Sequence, residues 1–371
     1  MKIEINESFK EKYLNFISSL SKESEFEYYP VKNGYTKDGK NINLGFSCFA
    51  IKSLYILDVW NEKDLENQKK WFKYLKSFQV ENNNFPSGSF IDSEYLKSIN
   101  QFSIKKEFKR NVKKVITQNK QGKSKQDEIN EFITAESKQA ISTLHQVGSK
   151  NDIKYKNQFF ENNKVSIYLN SLDWSKPWNA GAQFAALCVF LETQEKESKN
   201  YQVLKEELIK FLNTVHEKES GAYFKNGMPD QTEIVNGAMK VITGLDWLDV
   251  PIHEPNKLID LCLNIKLDGY GCDIVDTIYV LYKCSLNNSY RRKDIELYFR
   301  NVDEIISKHY FPDQGGFSYF LNKSQLYYYG LNITKGLNEP DIHGSILLLW
   351  ALSLMSDFRK DSGIKLNILK P

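Results

Sequence analysis

The sequence has little that would mark a secreted, membrane-spanning or disordered protein. Only 9 of its 371 residues are proline, while 41% are hydrophobic and 13% aromatic, which excludes a disordered or collagen-like chain. Its 5 cysteines are an odd number at irregular spacing, so we expect reduced thiols. The most apolar stretch, residues 346–355, is far shorter than the roughly 20 residues that span a bilayer. No signal or transit peptide is visible, and we therefore expect a cytoplasmic protein without an integral membrane segment.

The chain also lacks the motifs of several enzyme classes. It has no glycine-rich phosphate loop, nucleophile elbow, His-Glu-x-x-His or Cys-x-x-Cys, so nucleotide hydrolysis, serine-esterase and zinc-protease chemistry have no support. Its histidines and cysteines form no ligand cluster, and we expect neither a metal nor a cofactor. The 50 Lys and Arg against 47 Asp and Glu are too nearly balanced to indicate a nucleic-acid partner.

Two kinds of helical segment alternate along the sequence. One kind is amphipathic, with a single apolar stripe, as in residues 204–215 and 295–306. The other kind is apolar almost all round, as in residues 180–191, 273–284 and 344–355, and must be enclosed by protein on every side. Outer amphipathic helices around inner apolar helices satisfy both patterns. Six inner helices are expected to begin near Gly45, Thr134, Trp178, Glu233, Asp273 and Asp341.

Three connecting segments resemble one another, at residues 78–90, 216–224 and 311–320. Each has a polar or acidic residue a few positions before a glycine and an aromatic residue. We expect the glycine to allow a positive φ in the turn, while the aromatic ring covers the layer beneath it.

One segment departs from this pattern. Residues 105–125 hold nine basic residues and one acidic residue. We predict a basic insertion over residues 100–130, between the first and second inner helices, that is either a solvated segment or a binding surface for an anionic ligand.

Alternating helices joined by such glycine-aromatic turns resemble the α/α toroid of terpenoid cyclases, protein prenyltransferase β subunits and many carbohydrate-active enzymes. The likeness runs from about Asn43 to Met355 and implies an all-α (α/α)6 toroid, as one domain over residues 1–371. Residues 177–181 and 340–344 are also similar to uncharacterised toroid proteins of bacterial surface-polysaccharide pathways, which implies a glycan substrate.

Within this likeness, residues 273–277 resemble the Asp-x-Asp-Asp-Thr motif of class II terpene cyclases. Those enzymes use the middle aspartate as the general acid, and the matching residue here is Val275, which has no proton to give. Protein prenyltransferases hold zinc with Asp, Cys and His, but their Asp-x-Cys pair is absent. The sequence therefore favours a glycan over an isoprenoid.

Parallel inner helices would bring their N-terminal ends to the mouth of one funnel, where unpaired N–H groups favour anionic ligands. Asp276 and His343 at this mouth suit acid–base chemistry, since buried neighbouring carboxyl groups resist ionisation and histidine titrates near neutral pH. The predicted catalytic residues are Asp276, His343, Asp273 and Asp341. The predicted substrate-binding residues are Trp178, Asn179, Glu233, Asn236, Tyr270 and Tyr328.

Each of these residues also has a structural interpretation. Asp273 and Asp341 are well placed to cap their helices, and the tryptophans suit core packing. Our hypothesis is a carbohydrate-active hydrolase, lyase or modifying enzyme. The alternatives are a terpenoid-cyclase or prenyltransferase-like enzyme and a non-catalytic glycan-binding scaffold.

Overall fold

The computed structural model describes residues 3–81, 84–99, 125–160 and 164–371 of the chain. Within them the protein is mostly helical, as the sequence predicts. The helices are α1 Glu7–Ser19, α2 Lys37–Asn41, α3 Leu44–Ile56, α4 Leu65–Lys76, α5 Lys125–Gln146, α6 Val165–Ser171, α7 Pro177–Gln194, α8 Tyr201–Val215, α9 Gln231–Trp247, α10 Pro255–Leu263, α11 Gly271–Ser285, α12 Arg292–His309 and α13 Ile342–Arg359. Residues 93–99 are also helical, and Trp60–Glu62 form a 3-10 turn.

Short antiparallel strands join some of these helices. They form three hairpins: β1 Gln79–Val80 with β2 Ser89–Phe90, β3 Tyr310–Phe311 with β4 Gly316–Phe317, and β5 Tyr327–Tyr328 with β6 Leu331–Asn332. An isolated bridge pairs His216 with Tyr223.

The three similar connecting segments adopt the geometry that their glycines predict. Gly88, Gly221 and Gly315 all have a positive φ, between 75° and 82°. The aromatic residue two positions further on is fully buried in each case; these are Phe90, Tyr223 and Phe317. Each turn therefore buries the aromatic ring that follows its glycine in the core.

Six apolar helices, which we call the core helices, contact one another in succession. They are α3, α5, α7, α9, α11 and α13. Each packs on the next in this order, and α13 packs in turn on α3. The closest contact joins α7 and α9, where a Cβ on Gly237 would lie 2.5 Å from the Cβ of Pro177. Only glycine permits this approach of the two backbones.

The amphipathic helices pack against the core helices. Helix α8 contacts α7, α10 contacts α9 and α11, and α12 contacts α11 and α13. A buried ion pair joins two layers: Asp303 on α12 lies 2.9 Å from Arg359 at the end of α13.

The structure bears on several of the sequence predictions. The second core helix begins at Lys125 instead of near Thr134, so residues 125–130 of the predicted basic insertion are its first turns. Residues 100–124 of that insertion lie outside the described residues. All five cysteines are free thiols. In the described ranges, every helix is too short or too polar to cross a bilayer.

Candidate functional site

The N-terminal ends of neighbouring core helices are joined by side-chain hydrogen bonds. The N–H of Trp178 on α7 donates to Glu233 on α9 at 3.0 Å, and the amide of Asn236 on α9 donates to Asp273 on α11 at 2.8 Å. The sequence-predicted residues of these three helices therefore lie along one edge. Glu233 joins two helices. Its own N–H donates to the carboxylate of Asp230 at the start of α9, and its carboxylate accepts the N–H of Trp178 on α7.

Partly exposed positions occur on core helices that are otherwise buried. They lie in the N-terminal half or near the middle of each helix: Ala182 on α7, Lys240 on α9, Cys272 on α11, and His343 and Leu347 on α13. Solvent reaches these positions although most of their neighbours on each helix are buried, and we call the space next to them the central cavity.

Asp276 is the buried acid of the central cavity. It lies one turn into α11, is 1% exposed, and its Oδ2 is 3.7 Å from the Nζ of Lys240. Burial raises the pKa of Asp276 to about 6, with Lys240 opposing the shift and Asp273 adding to it. This carboxyl group can therefore both release and accept a proton near neutral pH.

His343 is held between two aromatic rings. Its imidazole stacks on Phe49 of α3 at 4.7 Å between centroids and on Tyr319 at 5.4 Å. Burial, together with the charges of Lys240 and Lys52, lowers the pKa of His343 to about 3. The ring is therefore neutral at physiological pH, where it can accept a hydrogen bond but is a weak base and cannot act as a cationic acid. Its Nδ1 is buried without a hydrogen-bond partner.

Glu136 on α5 forms a second buried acid. It accepts a hydrogen bond from Tyr328, which reaches the helix over the unsubstituted Cα of Gly45. Burial raises the pKa of Glu136 to about 8, so the carboxyl group is protonated at neutral pH. Tyr328, predicted to bind substrate, is itself 3% exposed, and its hydroxyl is used in this contact.

Three lysines on the core helices are a feature that the sequence interpretation missed. Lys52 on α3 is 8% exposed, Lys138 on α5 is half-buried, and Lys240 on α9 is half-buried. They are near enough to act on one another, since the charges of Lys52 and Lys240 both contribute to lowering the pKa of Lys138, after its burial. The signal in the sequence was a single lysine in each of the apolar helices α3 and α9, and Lys138 in the apolar second half of α5.

Three other predicted residues, Asp341, Asn179 and Tyr270, lie as follows. Asp341 caps α13, accepting from the N–H of Gly344 at 2.7 Å, and its other oxygen accepts the backbone N–H groups of Tyr319 and Gln325. Asp341 thereby holds the 319–325 loop over the start of α13. Helix capping by Asp341 was the structural alternative to a catalytic role. Asn179 is exposed, and Tyr270 is 45% exposed and packs against Phe320.

A groove of about 390 Å³ lies between α5 and α7. Thr134 and Gln183 of these helices border it, together with the rings of Phe159 and Tyr168, which stack at 3.7 Å. The hydroxyl of Tyr168 donates to Gln183 at 3.1 Å. Stacked rings beside amide groups are a surface to which flat sugar faces can bind.

The described part of the chain contains no group of three His, Cys, Asp or Glu side chains that could hold a metal ion. Comparisons with protein-family models, with curated proteins and with solved structures find no match.

Proposed function

We propose that the protein is an (α/α)6 toroid enzyme that acts on a carbohydrate in the central cavity, with Asp276 as its acid–base group. The toroid is supported by the succession of contacts in which α13 packs back on α3. The proposal depends above all on the position of Asp276. A fully buried carboxyl group with a pKa of about 6 beside a solvent-reachable lysine is costly for folding, and such groups cluster at sites of proton transfer.

In this proposal the carboxyl group of Asp276 transfers a proton to or from a sugar hydroxyl or a glycosidic oxygen. Lys240 stabilises the carboxylate that results. Neutral His343, held between Phe49 and Tyr319, offers a hydrogen-bonding nitrogen beside these groups. The α5–α7 groove would bind further sugar units of a chain.

The polarity of the central cavity favours a sugar over an isoprenoid. A cavity for an isoprenoid would be lined by apolar and aromatic groups, because burying a charge against a hydrocarbon is unfavourable. Here Lys52, Lys240, Asp276 and His343 approach the same space.

The experiment is a turnover assay of the purified protein on a panel of acidic and neutral oligosaccharides, with products detected by mass spectrometry. Asp276→Asn is expected to lower kcat by about 100-fold or more, the usual contribution of general acid–base catalysis. The matched control is Asp313→Asn in the exposed β3–β4 turn, which should retain wild-type turnover. Wild-type turnover by Asp276→Asn, or no turnover of any panel member by the wild-type protein, would contradict the proposal.

A further inference from the structure

The three core-helix lysines have no role in the chemistry described above, apart from the contact of Lys240 with Asp276. We propose that Lys52, Lys138 and Lys240 form a binding site for the anionic group, a carboxylate or a phosphate, of an acidic sugar. The sugar part of this inference rests on the proposed function, whereas the anion site stands on the lysines alone.

The three lysines extend from three different core helices. They come from α3 and α5, which pack on each other, and from α9, which is three steps from α3 in either direction of the packing order. The charges of Lys52 and Lys240 lower the pKa of Lys138 and of His343. Charges affect one another in this way only when they are close and poorly screened by solvent. Like charges gathered in this way repel one another unless an anion lies between them.

Two of the three lysines lack partners in the described part of the chain. Among the described residues, Lys52 and Lys138 have no hydrogen bond or ion pair, although Lys52 is 8% exposed. Buried lysines are otherwise paired, because an unpaired ammonium loses its hydration. A ligand oxygen would supply the missing acceptor for each group.

The nearby acids offset the charge of only one of the three lysines. Glu136 faces Lys52 but is protonated at neutral pH, since burial raises its pKa to about 8. Asp276 contacts Lys240 at 3.7 Å, longer than a hydrogen bond.

The test is isothermal titration calorimetry of the full chain with four probes: trigalacturonate, glucose 6-phosphate, neutral maltotriose and inorganic phosphate. The variants are Lys52→Met and Lys240→Met, with Lys210→Met on the exposed face of α8 as the matched control. Each cavity variant is expected to weaken binding of an acidic probe by about tenfold or more, the effect of losing one charge-assisted hydrogen bond. Circular dichroism confirms that each variant is folded, and Lys240→Met, at a half-exposed position, provides the result if Lys52→Met does not fold.

The four probes separate this inference from the proposed function. Binding of trigalacturonate alone identifies a carboxylate ligand, and binding of glucose 6-phosphate alone identifies a phosphate ligand; both support the inference if the cavity lysines are required. Lysine-dependent binding of inorganic phosphate without binding of any sugar supports the anion site and contradicts the carbohydrate function. Equal binding of maltotriose and the acidic sugars, with no effect of the lysine variants, overturns the anion site and leaves the carbohydrate function. No binding of any probe overturns the anion site.

Discussion

The imidazole of His343 lies nearly parallel to the ring of Phe49, at 4.7 Å between centroids and 5° between planes. This stack joins the start of α13 to α3, two helices almost 300 residues apart in the sequence. It also keeps the imidazole in an apolar layer, which together with Lys52 and Lys240 explains why the pKa of His343 is low. The contact that closes the succession of core helices thus also sets the chemistry of the candidate site.

Replacement of Asp276 by Asn is expected to stabilise the protein at neutral pH. Because burial raises the pKa of Asp276 from 3.8 to about 6, the native state holds its proton more tightly than the unfolded state, and the stability due to this proton is lost as the pH rises through that range. At pH 7 the free energy of unfolding of Asp276→Asn should exceed that of the wild type by about 3 kcal/mol, at 1.36 kcal/mol per pKa unit. The measurement is urea denaturation near pH 4 and pH 7. A gain of the same size at both values would show that the carboxyl group does not titrate as described, and Asp313→Asn should change neither value.

Lys52→Met is expected to stabilise the fold while it weakens ligand binding. The substitution removes a buried charge that has no partner in the described residues and leaves an apolar side chain of similar length. Replacing buried charged groups by apolar ones raises the free energy of unfolding by about 1–4 kcal/mol. Lys210→Met on the surface should change stability by less than about 0.5 kcal/mol. Thermal denaturation of the three proteins tests this trade-off. A loss of stability in Lys52→Met would indicate that the lysine has a structural partner.

Binding of an acidic sugar is expected to be accompanied by proton uptake. Burial lowers the pKa of Lys52 and of Lys138, so these groups gain protons when an anion approaches. Glu136, Asp276 and Asp273 are the acids near these bases, and an anion would raise their pKa values further, which also favours uptake. Calorimetry at about pH 7.5 in buffers of different ionisation enthalpy measures the protons directly. Proton release, or no net transfer, would place the bound anion elsewhere.

The ion pair between Asp303 and Arg359 is expected to stabilise the contact of α12 with α13. The two side chains are 8% and 6% exposed and lie 2.9 Å apart. Asp303→Asn should therefore lower the free energy of unfolding by about 1.5–3 kcal/mol, the contribution of a hydrogen bond to a charged group, since Asp361 remains 2.9 Å from Arg359 as a second counter-charge. The double variant Asp303→Leu with Arg359→Met should recover most of this loss in urea denaturation. A double variant no more stable than Asp303→Asn would show that the charge is not the cause.

Much of the helical layout could be predicted from the sequence, because enclosed helices show their apolar pattern directly. Five of the six core helices begin within two residues of the expected position. The exception is α5, whose first turns are largely polar and so resembled the basic segment before them. The positive φ of the turn glycines was also predictable, because this conformation depends on the glycine itself and not on distant parts of the chain.

The contents of the central cavity were only partly predictable. Asp276 could be singled out because an acid inside an apolar helix is costly at any orientation. Lys52, Lys138 and Lys240 could not, because a lysine can extend its charged end to solvent from many positions on a helix. The pair of Tyr328 with Glu136, separated by 192 residues, depends on how the loop folds over Gly45.

The central claim is that Asp276, Lys240 and His343 face one cavity that holds an acidic sugar. A crystal structure of the protein soaked with trigalacturonate tests it most directly. The account predicts sugar density in the central cavity, with a carboxylate within hydrogen-bond distance of Lys240 and a sugar oxygen within reach of Asp276. A well-ordered structure with density for the sugar only on the outer helices, and with the cavity closed by protein side chains, would contradict it.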